Sequence, residues 1–238
     1  MVRNFLLAIA FILVPAAFLT AQDSSSQDSS ANTDQPRMSQ PKRLPDEAKL
    51  AASEGEKLLF KNHDPKAATE SFKRSVKLDP WYGHGYMMLG LTYMQLQQWG
   101  DAQWAFEEAA KVEPENAQAF LGVGSALNEQ HDYNGARKAL EHSLDLKPGS
   151  AEAHYELART LAAQGKWQAA EPHVRRAIAI NKDYPGPHVL MGNIYLGQED
   201  AAGALAEFEE YLRLDPEGNL APEVKQIVAQ IKEAMQQK

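Results

Sequence analysis

A chain of 238 residues holds one or two domains of ordinary size. Its 44% apolar and 24% charged residues are the balance of a folded, soluble protein. The 24 Lys+Arg against 32 Asp+Glu give a formal net charge of −8, which excludes the basic surface that general nucleic-acid binding relies on. Cysteine is absent, so disulfides, thiolate metal sites, a cysteine nucleophile and an acylated lipoprotein N-terminus are excluded too.

Residues 1–21 read as a signal peptide. Arg3 precedes an uncharged apolar run from Phe5 to Leu19, and Ala21 offers a small residue at the cut. As a helix this run spans roughly 22 Å, short of the roughly 30 Å hydrocarbon core, and Pro15 interrupts it late. Because Leu19 is larger than the residue favoured three places before a cut, the competing reading is an uncleaved anchor in the inner membrane through residues 5–19. Either way the remainder is exported, periplasmic or secreted. Residues 22–48 are then a linker. Up to Asp46 this stretch has only Ala31, Met38 and Leu44 as apolar residues among Ser, Gln, Asp and Pro. It is too polar to offset the entropy of ordering, so disorder is expected.

From residue 49 to residue 218 the sequence repeats every 34 residues without insertion. Ala68, Ala102, Ala136, Ala170 and Ala204 form one column, and Phe72, Phe106, Leu140, Val174 and Phe208 another. Leu78, Val112, Leu146, Ile180 and Leu214 form a third, followed two residues later by Pro80, Pro114, Pro148 and Pro216. The units are 49–82, 83–116, 117–150, 151–184 and 185–218. Within 83–116, Tyr86, Leu89, Gly90 and Tyr93 share one helical face, Gln97 to Gly100 breaks the pattern, and Ala102, Phe106, Ala109 and Val112 trace a second helix. A mid-helix Gly costs about 1 kcal/mol relative to Ala, so Gly90, Gly124 and Gly192 at one repeat position point to close helix–helix approach. One hairpin cannot cover its own apolar faces; each must stack on the next.

These columns resemble the tetratricopeptide repeat. Unit 83–116 matches it with Tyr86, Leu89, Gly90, Tyr93, Ala102, Phe106, Ala109 and Pro114, and unit 117–150 with Phe120, Gly124, Ala136, Leu140 and Pro148. Unit 151–184 departs with Ala158 and Lys182 at the Gly and Pro places. Unit 49–82 departs most, with Gly55 and Glu56 where Leu-Gly is expected, which leaves its first helix the least well defined. The resemblance implies an all-α, right-handed superhelical solenoid of five helix-turn-helix repeats. Residues 219–238, with Val224, Ile227, Val228, Ile231 and Met235 on one face, are expected to form a C-terminal capping helix.

For function the resemblance implies protein or peptide binding. The chain has no GxSxG, P-loop, GxGxxG or HExxH motif, so no enzyme and no cofactor is expected. His154 and His188 occupy equal places on neighbouring first helices near Glu152, which gives a metal-binding alternative. Tyr86 and Phe120 fill the same column, making helix packing the simpler role. In the family the first helices line a concave groove. Carried over by position, the partner-binding candidates are Met87, Leu91, Met94, Leu121, Asn128, Tyr155, Arg159, Val189 and Asn193. Arg159 is expected to hold a partner carboxylate and Tyr155 to cover an apolar side chain. The groove lacks the Lys, Asn and Arg cluster that clamps a C-terminal carboxylate in chaperone-binding relatives. The expectation is an exported, non-enzymatic scaffold that binds a protein or peptide partner, with a membrane-tethered spacer as the alternative. Contact with a membrane is expected only through an uncleaved N-terminal segment.

Overall fold

Apolar residues recurring at helical spacing, punctuated every 34 residues, produce a chain of hairpins in the computed structural model, which describes residues 44–236. The pairs are α1 (Pro45–Phe60) and α2 (Pro65–Leu78), α3 (Gly83–Gln95) and α4 (Trp99–Val112), and α5 (Ala117–Glu129) and α6 (Tyr133–Leu146). They continue with α7 (Ala151–Ala163) and α8 (Trp167–Ile180), then α9 (Pro185–Gly197) and α10 (Ala201–Leu214). A single helix, α11 (Ala221–Gln236), occupies the expected capping segment. The signal segment and the linker as far as residue 43 lie outside the described residues. Among the described residues no helix is long and apolar enough to cross a membrane.

The linker ends earlier than expected, because α1 starts at Pro45 rather than at residue 49. Pro45 brings a φ suited to the first helical position, and Asp46 and Glu47 put negative charge in the first turn. Inside each hairpin the turn is built alike. His63, Gln97, His131, Gly165 and Glu199, each 34 residues after the last, all take a left-handed φ, between 53° and 74°. Asp64, Asp132 and Asp200 then cap α2, α6 and α10 by accepting from the N–H groups of Ala67, Gly135 and Gly203 at 2.9–3.0 Å. Gln98 and Lys166, at the same place before α4 and α8, make no side-chain cap bond.

The core shows why the columns exist. The five column alanines are fully buried, as are Phe72, Leu140, Val174 and Phe208, with Phe106 only 1% exposed. A Cβ on Gly90 would lie 2.6 Å from the Phe106 ring, one on Gly192 2.6 Å from Phe208, and one on Gly124 2.5 Å from Leu140 Cγ. The repeat that carries Ala158 instead of Gly has the smaller Val174 in the facing column.

The first hairpin corrects the sequence register. A Cβ on Gly55 would lie 2.7 Å from Phe72, so Gly55 does the work of Gly90 although it is one place out of frame. The turn takes up the difference. Asp64 N–H bonds to Leu58 O across six residues, whereas Gln98, Asp132, Lys166 and Asp200 bond to Tyr93, Leu127, Leu161 and Tyr195 across five. α1 is therefore a regular first helix slid by one residue to bring a glycine against Phe72.

Consecutive helices pack throughout, and successive first helices (α1, α3, α5, α7, α9) also meet one another, while successive second helices make no comparable contact. The first helices thus line the inner face of a curved array. Gln130, Gln164 and Gln198 donate back to Gln103, Asn134 and Glu171 of the preceding repeat at 2.9, 3.2 and 3.0 Å, tying neighbours together at one repeated place. Buried apolar side chains form two clusters. The larger runs from Ala52 to Ile194; the smaller joins Val189 and Leu196 of α9 to α10 and α11.

Candidate partner-binding groove

The inner face is not uniform. Leu91 on α3 is 48% exposed, and Met87 and Met94 on the same helix and Leu121 on α5 are half-buried with one side against the core. These four form an apolar strip on the first half of the groove. Toward the C-terminus the expected contacts are withdrawn, which corrects the position-by-position transfer.

Asn128, Val189 and Asn193 are buried, at 6%, 5% and 3% exposure. Asn128 Nδ2 donates to Glu156 Oε2 at 3.1 Å, and its Oδ1 accepts from the Thr160 hydroxyl at 2.8 Å, so its capacity is spent inside the fold. Val189 belongs to the cluster completed by Val224, Ile227, Val228 and Ile231 of α11. Asn193 lines a 230 Å³ pocket with Trp167, Glu171 and Gln198, and its Oδ1 has no hydrogen-bond partner.

Arg159 is held by carboxylates of its own chain, Glu129 at 3.0 Å and Glu156 at 2.9 Å. Burial alone would lower its pKa, but Glu156 and Glu129 together raise it and keep the guanidinium charged. It is therefore not the free cation expected for a partner carboxylate. Tyr155 packs edge-on against Tyr184, ring centroids 5.1 Å apart, and its ring stands where a Cβ of Gly186 would project. Burial pushes its phenol up to about 12.

The first helix adds exposed apolar residues that the packing columns do not contain, Leu50 at 71% and Phe60 at 62%. In the 34-residue frame Phe60 takes the place of Met94, while Leu50 stands where the later repeats have His84, Gln118, Glu152 and Gly186. Glu56 Oε1 lies 2.7 Å from His84 Nε2 and links α1 to α3 beside the strip.

His154 and His188 do not share a site. His154 Nε2 faces Pro148 O at 3.2 Å and so carries a proton, leaving Nδ1 to accept from His173 Nδ1 at 3.0 Å. Burial lowers the pKa of both imidazoles; at His154 the Pro148 carbonyl opposes this and the Arg176 guanidinium adds to it, and at His173 the competition with His154 for a second proton adds to it. One repeat on, His188 Nδ1 meets Glu207 Oε2 at 2.7 Å and Nε2 meets Lys182 O at 3.4 Å. Burial opposes the charged form there, but the Glu207 bond outweighs it and raises the His188 pKa. Among the described residues no group of three or more His, Asp or Glu is placed to hold a metal.

An array of stacked helical hairpins with an apolar inner strip defines a repeat scaffold of the protein-interaction class. Sequence models of the tetratricopeptide repeat match residues 87–136, 127–172 and 161–231, and the chain belongs to that family. Comparison with the curated proteins gives no significant match. Among solved structures, MamA 41-end from Desulfovibrio magneticus RS-1 is similar at 19% identity and a TM-score of 0.62, covering 73% of this chain and 98% of that one. Pseudomonas aeruginosa PilF is similar at 14% identity and 0.66, over 78% of this chain and 89% of its own. YrrB, described as a TPR protein with an unusual peptide-binding site, is similar at 20% and 0.55, over 74% and 90%. At these identities the likeness is one of fold.

Proposed function

We propose that the chain is an exported scaffold that binds an apolar segment of a partner protein along the first half of its groove. The observation that carries this reading is the strip of Met87, Leu91, Met94 and Leu121, apolar and accessible where the second half is closed by internal bonds and by α11. Methionine suits an adaptable contact, because its flexible thioether repacks around different side chains. Tyr155 and Arg159 act as the fixed boundary of the strip rather than as its energetic centre.

The test is capture of envelope proteins on immobilised wild-type and variant protein, with the bound partner identified by mass spectrometry. Leu91→Glu should weaken capture at least tenfold without lowering the melting temperature, since its side chain is half exposed. Arg159→Ala should lower stability but leave affinity within about twofold, since its partners are Glu129 and Glu156. Equal loss from Leu91→Glu and from Lys77→Glu on a second helix would place the partner site elsewhere. Export rests on the signal segment and is checked by intact mass: the mature chain should begin near Gln22, and Met1 retained in the membrane fraction would favour the anchored form.

A further inference from the structure

The outer face carries a second feature, visible when the four clefts between successive second helices are compared. Each has at its floor one member of the column Tyr86, Phe120, His154, His188. In the first and third a ring of the chain lies against that residue, and the fourth keeps about 360 Å³ open beside His188 but lines it with the charged Arg175, Lys182, Glu207 and Glu210. In the first, Trp104 lies edge-on to Tyr86 with ring centroids 6.0 Å apart. In the third, His173 bonds to His154 at 3.0 Å, and in the fourth Glu207 bonds to His188 at 2.7 Å.

The second cleft is different. Between α4 and α6 it encloses about 480 Å³ over Phe120, Val123 and Leu127, with Ala110 and Ala139 as its walls. His142 stands edge-on to Phe120 at 4.2 Å and forms one aromatic end. The place that holds Trp104 in the first cleft is taken here by Lys138, and the places of His173 and Glu207 by Ala139. The chain therefore leaves open, on an apolar and aromatic floor, the space that it fills with an indole one repeat earlier. The rim has a sign. Glu107 accepts from Gln103 at 2.8 Å and Lys111 is paired with Glu108 at 2.6 Å, while Lys138 is exposed and held by no carboxylate among the described residues.

We propose that this cleft binds an aromatic side chain of a partner protein that stands next to an acidic residue, the ring seated on Phe120 and the carboxylate paired with Lys138. A ring in this cleft gains the edge-to-face contacts that Trp104 makes with Tyr86. The exposed ion pair adds direction more than affinity. The cleft lies on the opposite side of the array from the groove, so it stands or falls independently of the groove reading.

The probes are the peptides acetyl-Trp-Asp-amide and acetyl-Trp-Asn-amide, titrated into the full chain while the Phe120 and His142 ring signals are followed by NMR. Saturable shifts at both rings are expected, with the Asp peptide tighter by about threefold, the value of one exposed ion pair. Lys138→Trp, which copies the preceding repeat, should plug the cleft and remove the shifts while the far-ultraviolet circular dichroism stays that of the wild type. Lys138→Met keeps the cleft and should make the two peptides equal. Leu91→Glu should leave both titrations unchanged. The proposal is overturned if neither ring shifts saturably, if the shifts survive Lys138→Trp in a folded variant, or if wild-type protein binds the two peptides equally.

Discussion

The contact between Gly90 and Phe106 can be rewritten as the contact that another repeat already uses. Phe106 is 1% exposed and lies between two glycines: a Cβ on Gly90 or on Gly122 would come within 2.6 Å of its ring. Gly90→Ala alone gains about 1 kcal/mol of helix propensity but overpacks a rigid ring at a cost of about 1–3 kcal/mol, for a net loss of up to about 2 kcal/mol. Phe106→Val alone deletes much of a buried ring, and with full truncation of a core Phe costing about 3–5 kcal/mol, a loss of about 2–4 kcal/mol is expected. The double variant sets Ala opposite Val, the pairing of Ala158 with Val174 in the fourth repeat. The added methyl then fills space that the smaller side chain vacates. The pair should be less destabilised than the sum of the single changes by about 1–2 kcal/mol, within the range of coupled neighbours. Urea unfolding followed by circular dichroism on the four proteins of the cycle measures this directly. Additivity to within about 0.3 kcal/mol would show that the glycine column is not set by ring contact, and the argument for the slid register of α1 would fall with it.

Other outcomes follow from features that repeat. Gly165 alone among the turn residues has no side chain to strain, and nothing lies within 4 Å of its Cβ place, so Gly165→Ala should cost about 1–2 kcal/mol through φ alone and Gln97→Gly should gain a similar fraction. Lys166→Asp gives α8 the cap that Asp132 gives α6 and should raise stability by about 0.5–2 kcal/mol in thermal or urea unfolding. The histidines should titrate in opposite directions by NMR. His154 and His173, lowered by burial, should stay neutral below their ordinary range, where the unfolded chain binds more protons, so they remove stability as pH falls through that range. Arg176 beside His154 reinforces this and Glu141 beside His173 opposes it. His188, raised by Glu207, contributes stability that is fully present below the ordinary histidine range and lost as pH rises through its folded pKa. His173→Glu should convert the first pair into the second and raise the His154 pKa; an unchanged value would refute the pairing.

The solenoid was legible because its columns are steric requirements. An Ala, a large apolar residue and a terminating Pro recur at fixed intervals wherever hairpins stack, and later helices start where the 34-residue frame puts them. The slip of α1 was not legible, since Gly55 is marked only by what it meets, Phe72, and the compensating residue sits in the turn. The groove was half legible. Repeat position tells which face a side chain occupies, not what a neighbouring repeat places against it. Asn128 meets Glu156 and Thr160, and Arg159 meets Glu129, across sequence separations that a single-unit template does not contain. Val189 was misplaced because the template ends before α11, which covers it. The alternation of Asp64, Asp132 and Asp200 with uncapped Gln98 and Lys166, and the Gln130, Gln164 and Gln198 column, stood in the sequence as periodic signals that apolar columns alone do not reveal.

The division of the buried side chains at α9 bears on how the molecule is made. Its Met191 and Ile194 close the larger cluster, while Val189 and Leu196 wait for α11. Each earlier hairpin is covered at this end by the hairpin that follows it, so structure can propagate as the chain emerges, N-terminal end first. Until residues 221–236 arrive, however, α9 and α10 present an apolar end with nothing to close it. A chain that is stalled or clipped near residue 220 would be a nearly complete scaffold with an adhesive terminus. Removal of the sixteen-residue helix Ala221–Gln236 is expected to uncover this cluster and promote self-association, which size-exclusion chromatography of a chain ending at residue 220 would detect.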